Sequence, residues 1–372
     1  MTRVVVAPDS FKGTASAADA VAALAAGWRT VRPDDELVLR PMADGGEGTL
    51  DAFASAVPGA RRIAVRVRGP VNEPVETHWL LLPDGTGIVE LAATSGITLL
   101  DPLAPLDAHT AGFGEAIAAA LDAGVSRLLL ALGGSASTDG GVAALAVLGG
   151  RFADASGRPI RHGNRGLGTL HRVDLSALRP LPEGGATILG DVANPLLGSS
   201  GAAAVFGPQK GADAAMVAVL DENLARLVRR MPPSMRPLAE VPGAGAAGGT
   251  GFGLLAWGAS MGGGAALVAE AVRLPDAIRG ADLVITGEGR FDGQSEAGKA
   301  PAEVAELAGT AGVPVVLVAG AITAEPRGFA ASVALADLAG SRSAAMAEPL
   351  RWLERAGVEL AHTIDVSAAS AR

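Results

Sequence analysis

Five times along this chain a short apolar run stops in a polar loop: RVVVAPDS at 3–10, ELVLRPMADGGEG at 36–48, RLLLALGGSASTDGG at 127–141, ATILGDVANPL at 186–196 and ADLVITGEG at 281–289. An uninterrupted run of Val, Leu and Ile suits a strand buried on both faces, as in a parallel sheet. Several of these loops lead into Ala-rich stretches of helical periodicity, such as ASAADAVAALAAGWRTV before Pro33 and APAEVAELAGTAG from Ala300. Strand, loop and helix in repetition predict an α/β fold with working loops at the carboxyl ends of the strands.

Between residues 61 and 91 the texture changes to short alternating runs separated by Pro, Gly and Asp turns, which predicts antiparallel strands. The last third returns to the opening pattern. The simplest topology is a doubly wound, Rossmann- or flavodoxin-like parallel-sheet domain from residues 1–60 and 272–372, with a mixed α/β domain, residues 61–271, inserted in it. A length of 372 residues agrees with two domains.

Composition removes several function classes. There is no cysteine, hence no disulfide, thiolate nucleophile or iron–sulfur cluster, and a reducing cytoplasm is the expected compartment. A net charge of −9 argues against nucleic-acid and anionic-membrane partners, and requires that any anionic ligand meet locally gathered basic residues. The uncharged stretch 241–269 is long enough to span a bilayer, but Pro242 and ten glycines dilute it, so a buried, ligand-lining segment is expected. The five histidines show neither HxH nor HExxH spacing, which gives no indication of a zinc site or a catalytic triad. They read as surface or packing residues, with His109 beside a helix cap.

The polar loops hold Asp9, Ser10 and Lys12; Asp44 to Glu47; Gly133 to Gly141; Asp191 and Asn194; and Glu288, Arg290 and Asp292. Each alone could be turn and cap chemistry. Together they supply backbone N–H groups, cations and carboxylates, the parts needed to transfer a phosphoryl group to an alcohol with Mg²⁺.

Two nucleotide-binding spacings are near misses. Gly293, Gly298 and Lys299 fit a P-loop, but Ala300 replaces the metal-binding hydroxyl and the strand ends near Gly287, six residues before Gly293. Lys299 at the start of a helix still suits a phosphate. Gly243, Gly245 and Gly248 show GxGxxG spacing, but no strand precedes them; among 51 glycines such matches arise by chance, which makes a dinucleotide-dependent hydroxyacid dehydrogenase a weak rival.

The loops in combination resemble the glycerate kinase family. APDSFKG, PMADGGEGT, the GGSAS and DGG elements, GDVANPL followed by GAAAVFGPQKGA, GAGAAGG and ITGEGRFDGQSEAGKAP carry the likeness through nearly the whole chain. Thr138 stands where that family often has Asn. The resemblance implies transfer of the γ-phosphate of ATP to D-glycerate with Mg²⁺, at the 2-hydroxyl, with the 3-hydroxyl or a non-catalytic sugar-acid-binding protein as alternatives. It also implies a small-molecule kinase acting as a monomer or homodimer.

Carried onto this sequence, it casts Lys12 and Arg290 in contact with the substrate carboxylate or the moving phosphoryl group, and Asp191 as general base with Asp44 in reserve. Asp9, Ser10, Glu47 and Asn194 join them around the substrate. Phosphates and nucleotide fall to Gly133, Gly134, Ser135, Thr138, Asp139 and Gly140, to Gln209, Lys210 and Gly211, to Gly245, Gly248 and Gly249, and to Lys299. Glu288 and Asp292 are the metal candidates, or else they orient Arg290.

Overall fold

The computed structural model describes residues 2–11, 13–292 and 299–363. It divides into two compact units: Met1–Asp44 with Asp51–Pro58 and Gly263–Arg372, and Gly45–Leu50 with Gly59–Gly262.

The first unit is built on a five-stranded sheet in the order Ala331–Ala334, Val315–Ala319, Leu283–Glu288, Arg3–Val6, Glu36–Leu39, every pairing parallel. Val4, Val5 and Val6 are completely buried, which is why the strand reads as apolar without alternation. The chain leaves this interior strand on one side to form Glu36–Leu39 and returns on the other as Leu283–Glu288, so the sheet is doubly wound with its switch point between Arg3–Val6 and Leu283–Glu288. Trp28, Leu24, Ile285, Val316, Val318 and Leu353 belong to its core. The helices Ala17–Val31 and Pro349–Thr363 pack backbone to backbone: a β-carbon on Gly27 would lie 1.9 Å from the Glu354 carbonyl oxygen, and one on Gly357 2.3 Å from that of Leu24.

The second unit holds a six-stranded mixed sheet, in the order Ser260–Gly262, Ala186–Leu189, Arg127–Ala131, Thr86–Glu90, Pro74–Leu81, Arg61–Arg68. The first four strands are parallel, and the last two join antiparallel, as the texture of residues 61–91 predicts. Arg61–Arg68 is an edge strand carrying four arginines, a charged edge that discourages pairing with other chains. A separate two-stranded ribbon pairs Arg151–Ala153 with Arg172–Asp174. The core gathers Trp79, Phe113, Leu130, Ile188, Phe252 and Trp257.

Among the described residues no helix is long and apolar enough to cross a membrane. The uncharged stretch 241–269 instead forms the helix Ala246–Trp257, the strand Ser260–Gly262 and the beginning of the helix Gly264–Ala271.

Candidate functional site

In open α/β sheets ligands bind beyond the strand carboxyl ends at the switch point. In the first unit that point carries Asp9 and Ser10 after one strand, and Glu288, Arg290 and Asp292 at the end of its neighbour. The Asp9 N–H donates to Gly287 O (2.8 Å), and the Ser10 N–H donates to the Asp9 carboxylate (2.6 Å), so the turn is fixed against the adjacent strand. Ser10 is 6% exposed, and its hydroxyl is buried without a hydrogen-bond partner among the described residues. Such a group is costly unless a ligand completes it.

Beyond Glu288 the chain keeps an extended course. The Phe291 N–H donates to Ala321 O and the Thr323 N–H to Phe291 O (both 2.9 Å), while the Phe291 ring is buried against Leu317 and Ala319. Anchoring Phe291 leaves Arg290 and Asp292 outside that cluster, where their side chains meet at 3.4 Å. Glu288 is buried, and its carboxylate lies 4.0 Å from Lys299 Nζ. Lys299 caps the helix Ala300–Thr310, with Pro301 in its first turn. Asp44, partly buried, ends the segment that runs beside Val6 and Pro8 through the bonds of Arg40 N to Val6 O and Met42 N to Pro8 O (both 2.9 Å). Lys12, Gly293 and Gly298 lie outside the described residues.

The second unit assembles a glycine loop over the end of Arg127–Ala131. The Gly133 N–H donates to Gly45 O (3.0 Å), the Ala136 N–H to Ser95 O (3.0 Å) and the Gly140 N–H to Gly248 O (3.1 Å), so the loop is stitched to three other segments. Gly248 has φ +66°, and a β-carbon there would sit 2.1 Å from Ser137 O, which only glycine allows. With Ala247 and Gly249 it makes three consecutive left-handed residues, a kink at the start of Ala246–Trp257 that presses the backbone onto the loop. The GAGAAGG segment follows the 3₁₀ stretch Pro233–Glu240 rather than a strand, which deprives the GxGxxG spacing of its dinucleotide context.

Lys210 supports the same loop from within. It is 2% exposed, and Nζ donates to Ser137 O (2.5 Å) and to Ser135 Oγ (3.2 Å). Burial lowers its ammonium to about 7 against an upward pull from the Asp139 carboxylate. Asp139 is itself spent on structure: its oxygens accept from Thr110 N (3.0 Å) and Thr110 Oγ1 (2.9 Å), from Gly141 N (3.1 Å) and from Ala143 N (3.3 Å). Thr138 Oγ1 donates to Pro105 O (2.5 Å) and is completely buried. Both side chains therefore hold the loop's shape, as does the Ser135 hydroxyl, which accepts from Lys210 Nζ and from Ser137 N (3.2 Å). Gln209 and Gly211 flank Lys210 at the surface.

Beyond Ala186–Leu189, Asp191 is partly buried. The Asn194 amide donates to Ser200 O (2.8 Å), while the Asn194 carbonyl accepts from Gly245 N (2.9 Å). Glu47 is exposed on the Gly45–Leu50 stretch. Among the described residues no group of three or more His, Asp or Glu side chains could hold a metal ion.

The glycerate kinase family model matches residues 4–365. The chain belongs to the glycerate kinase family. It is 42% identical over 327 residues to the glycerate 2-kinase of Escherichia coli K12, covering 86% of each chain. It is 43% identical to the glycerate kinase of Bacillus subtilis 168, covering 86% of this chain and 85% of that one. A crystal structure described as a candidate glycerate kinase 2 from Salmonella typhimurium LT2 superposes with a TM-score of 0.79 at 37% identity over 99% of both chains.

Two residues of this glycerate kinase family chain were not anticipated from sequence. Glu90 is 5% exposed at the end of Thr86–Glu90 and accepts from Leu50 N (3.0 Å). Ser95 is wholly buried, its hydroxyl without a partner among the described residues, on the segment that pairs with residues 134–136. The signal for Glu90 was present, a carboxylate closing the apolar run TGIVE as Glu288 closes LVITGE.

Proposed function

We propose that the chain is an ATP-dependent kinase that phosphorylates D-glycerate at the 2-hydroxyl, giving 2-phosphoglycerate. One observation carries the reading: the family match runs essentially end to end, and a protein named glycerate 2-kinase is 42% identical over 86% of the chain.

On the parallel-sheet unit, Arg290 holds the substrate carboxylate through a guanidinium fork, with Ser10 and Asp9 beside it, and Lys12 supplies a second cation for the carboxylate or the moving phosphoryl group. The buried, unsatisfied Ser10 hydroxyl favours a polar ligand at this switch point. Glu288 and Asp292 are hard oxygen donors of the kind Mg²⁺ takes, one or two carboxylates being enough when phosphates and water complete the shell. When bound, the ion neutralises charge on the phosphates. On the mixed-sheet unit, the backbone of residues 133–141 with Ser135 cradles the donor phosphates, Lys210 keeps that loop in shape, and the 245–249 kink borders the nucleotide. Asp191 accepts the hydroxyl proton, with Asp44 in reserve, and Glu47 and Asn194 line the substrate's surroundings. The protein works in a reducing cytoplasm, as a monomer or homodimer, and its domains follow the plan of the sequence, one from the two ends of the chain and one from the middle.

Release of ADP from Mg·ATP dependent on D-glycerate tests the reaction, and phosphorus–carbon coupling in the product distinguishes the 2- from the 3-phosphate. Retained glycerate binding with no turnover would return the protein to the class of sugar-acid binders.

A further inference from the structure

Bordering the Asp139 end of the glycine loop, the mixed-sheet unit contains a cavity of about 560 Å³ whose arginines none of the assigned functions uses. Its size is that of a small-molecule site. One wall is the two-stranded ribbon, whose register sets Arg151 opposite Asp174 and Ala153 opposite Arg172, so both arginines rise from the same face. Arg161 and His162 reach it from the connection between the two strands, and Val142, Ala146 and Ile160 supply an apolar side.

Two features indicate what the cavity takes. Among the described residues the guanidiniums of Arg151, Arg161 and Arg172 make no side-chain hydrogen bond or close ion pair, although Arg172 and Arg151 act electrostatically on Asp174 and Arg161 on Asp107, whereas the neighbouring Arg165 is gripped by Asp107 through two bonds (2.7 and 2.8 Å). In a chain of net charge −9, three guanidiniums around one cavity outnumber its two carboxylates and reverse the local sign. Two carboxylates border it, but Asp139 is enclosed by its hydrogen bonds, and Asp174 is held by Ser176 Oγ (2.6 Å). The rim is also preformed: Asp154 N donates to Arg158 O (2.9 Å) and Ile160 N to Phe152 O (3.0 Å). A rigid frame around open guanidinium forks suits phosphate oxygens, and the apolar wall suits a flat ring.

We propose that this cavity is a second small-molecule site, distinct from the site of phosphoryl transfer, for a phosphorylated ligand bearing an aromatic or apolar group, of the nucleoside monophosphate class. Binding here requires no turnover, so it stands or falls apart from the proposed reaction.

The test is calorimetric titration of AMP, inorganic phosphate and adenosine into the wild-type protein and into a variant carrying both Arg151→Ala and Arg172→Ala. AMP is expected to bind saturably and more tightly than either of its parts, and the double variant to weaken it at least about tenfold, the loss that follows from removing charge-assisted hydrogen bonds. The double Arg→Lys variant should fall between. Both arginines are exposed, so cooperative melting should be retained, and turnover without AMP should be unchanged. Absence of saturable binding, equal AMP affinity in wild type and variant, or a raised KM for ATP in the variant would each overturn the proposal. The last would make the cavity part of the donor's own site.

Discussion

A lysine ammonium sealed from water needs a counter-charge or a set of acceptors, and Lys210 relies on two neutral oxygens of the loop it supports, Ser137 O and Ser135 Oγ. Because burial holds its folded value near 7 while an exposed lysine titrates near 10.5, the unfolded chain binds the extra proton between those values. Wild-type stability should therefore rise with pH from about 7 to about 10 relative to Lys210→Met, a difference read from melting temperatures of the two proteins across that window. The same variant loosens the glycine loop and should raise KM for ATP. Asp191→Asn should lower kcat at least about a hundredfold, as removal of a general base does, with melting unchanged because the residue is only partly buried. At this scale the sequence disclosed which residue types stood at the strand ends but not where each side chain points. Asp139 and Thr138 stand out in the sequence as polar residues of a glycine loop, but their bonds to Gly141 N and Pro105 O were not legible there, because an Asp or Thr in such a loop satisfies backbone groups as readily as it faces a ligand.

At the level of elements, two helical glycines illustrate opposite demands. Gly27 lies where Ala17–Val31 meets Pro349–Thr363, and the nearest atoms to an added β-carbon are backbone, which cannot swing aside. Gly27→Ala should cost at least about 1 kcal/mol despite its better helix propensity, by overpacking. Gly309, near the end of Ala300–Thr310, has open space around it, so Gly309→Ala should stabilise by about 0.5–1 kcal/mol. Thermal melting of the two variants checks both signs. The long apolar runs were legible as strands because burial on both faces leaves no polar residue to confuse the pattern. The ribbon of Arg151–Ala153 and Arg172–Asp174 was not, since three residues a strand give no periodicity and its arginines read as ordinary surface. The cavity they border was hidden with them.

For the whole molecule, the two units differ in how their chain is supplied. The mixed-sheet unit is made from one continuous run with a short contribution from Gly45–Leu50, while the parallel sheet takes two strands from the first forty residues and three from beyond residue 280. A fragment of residues 59–262 is expected to melt cooperatively by circular dichroism, somewhat below the full protein because it loses the bonds of Gly45 O to Gly133 and Leu50 N to Glu90. The alternation of texture along the sequence exposed this arrangement, because strands buried on both faces and strands exposed on one differ in composition. The first strand of the parallel sheet has a further consequence at biosynthesis. Arg3–Val6 emerges from the ribosome early, but its neighbour Leu283–Glu288 is paired at a separation of 279 residues. Until that partner is translated, the apolar face of Ala17–Val31 and the edge of Arg3–Val6 have no permanent cover, while the middle of the chain can already fold. A ribosome stalled near residue 270 should thus present a protease-resistant middle behind a still-cleavable amino-terminal segment, which makes the amino terminus the part of the nascent chain most dependent on chaperones.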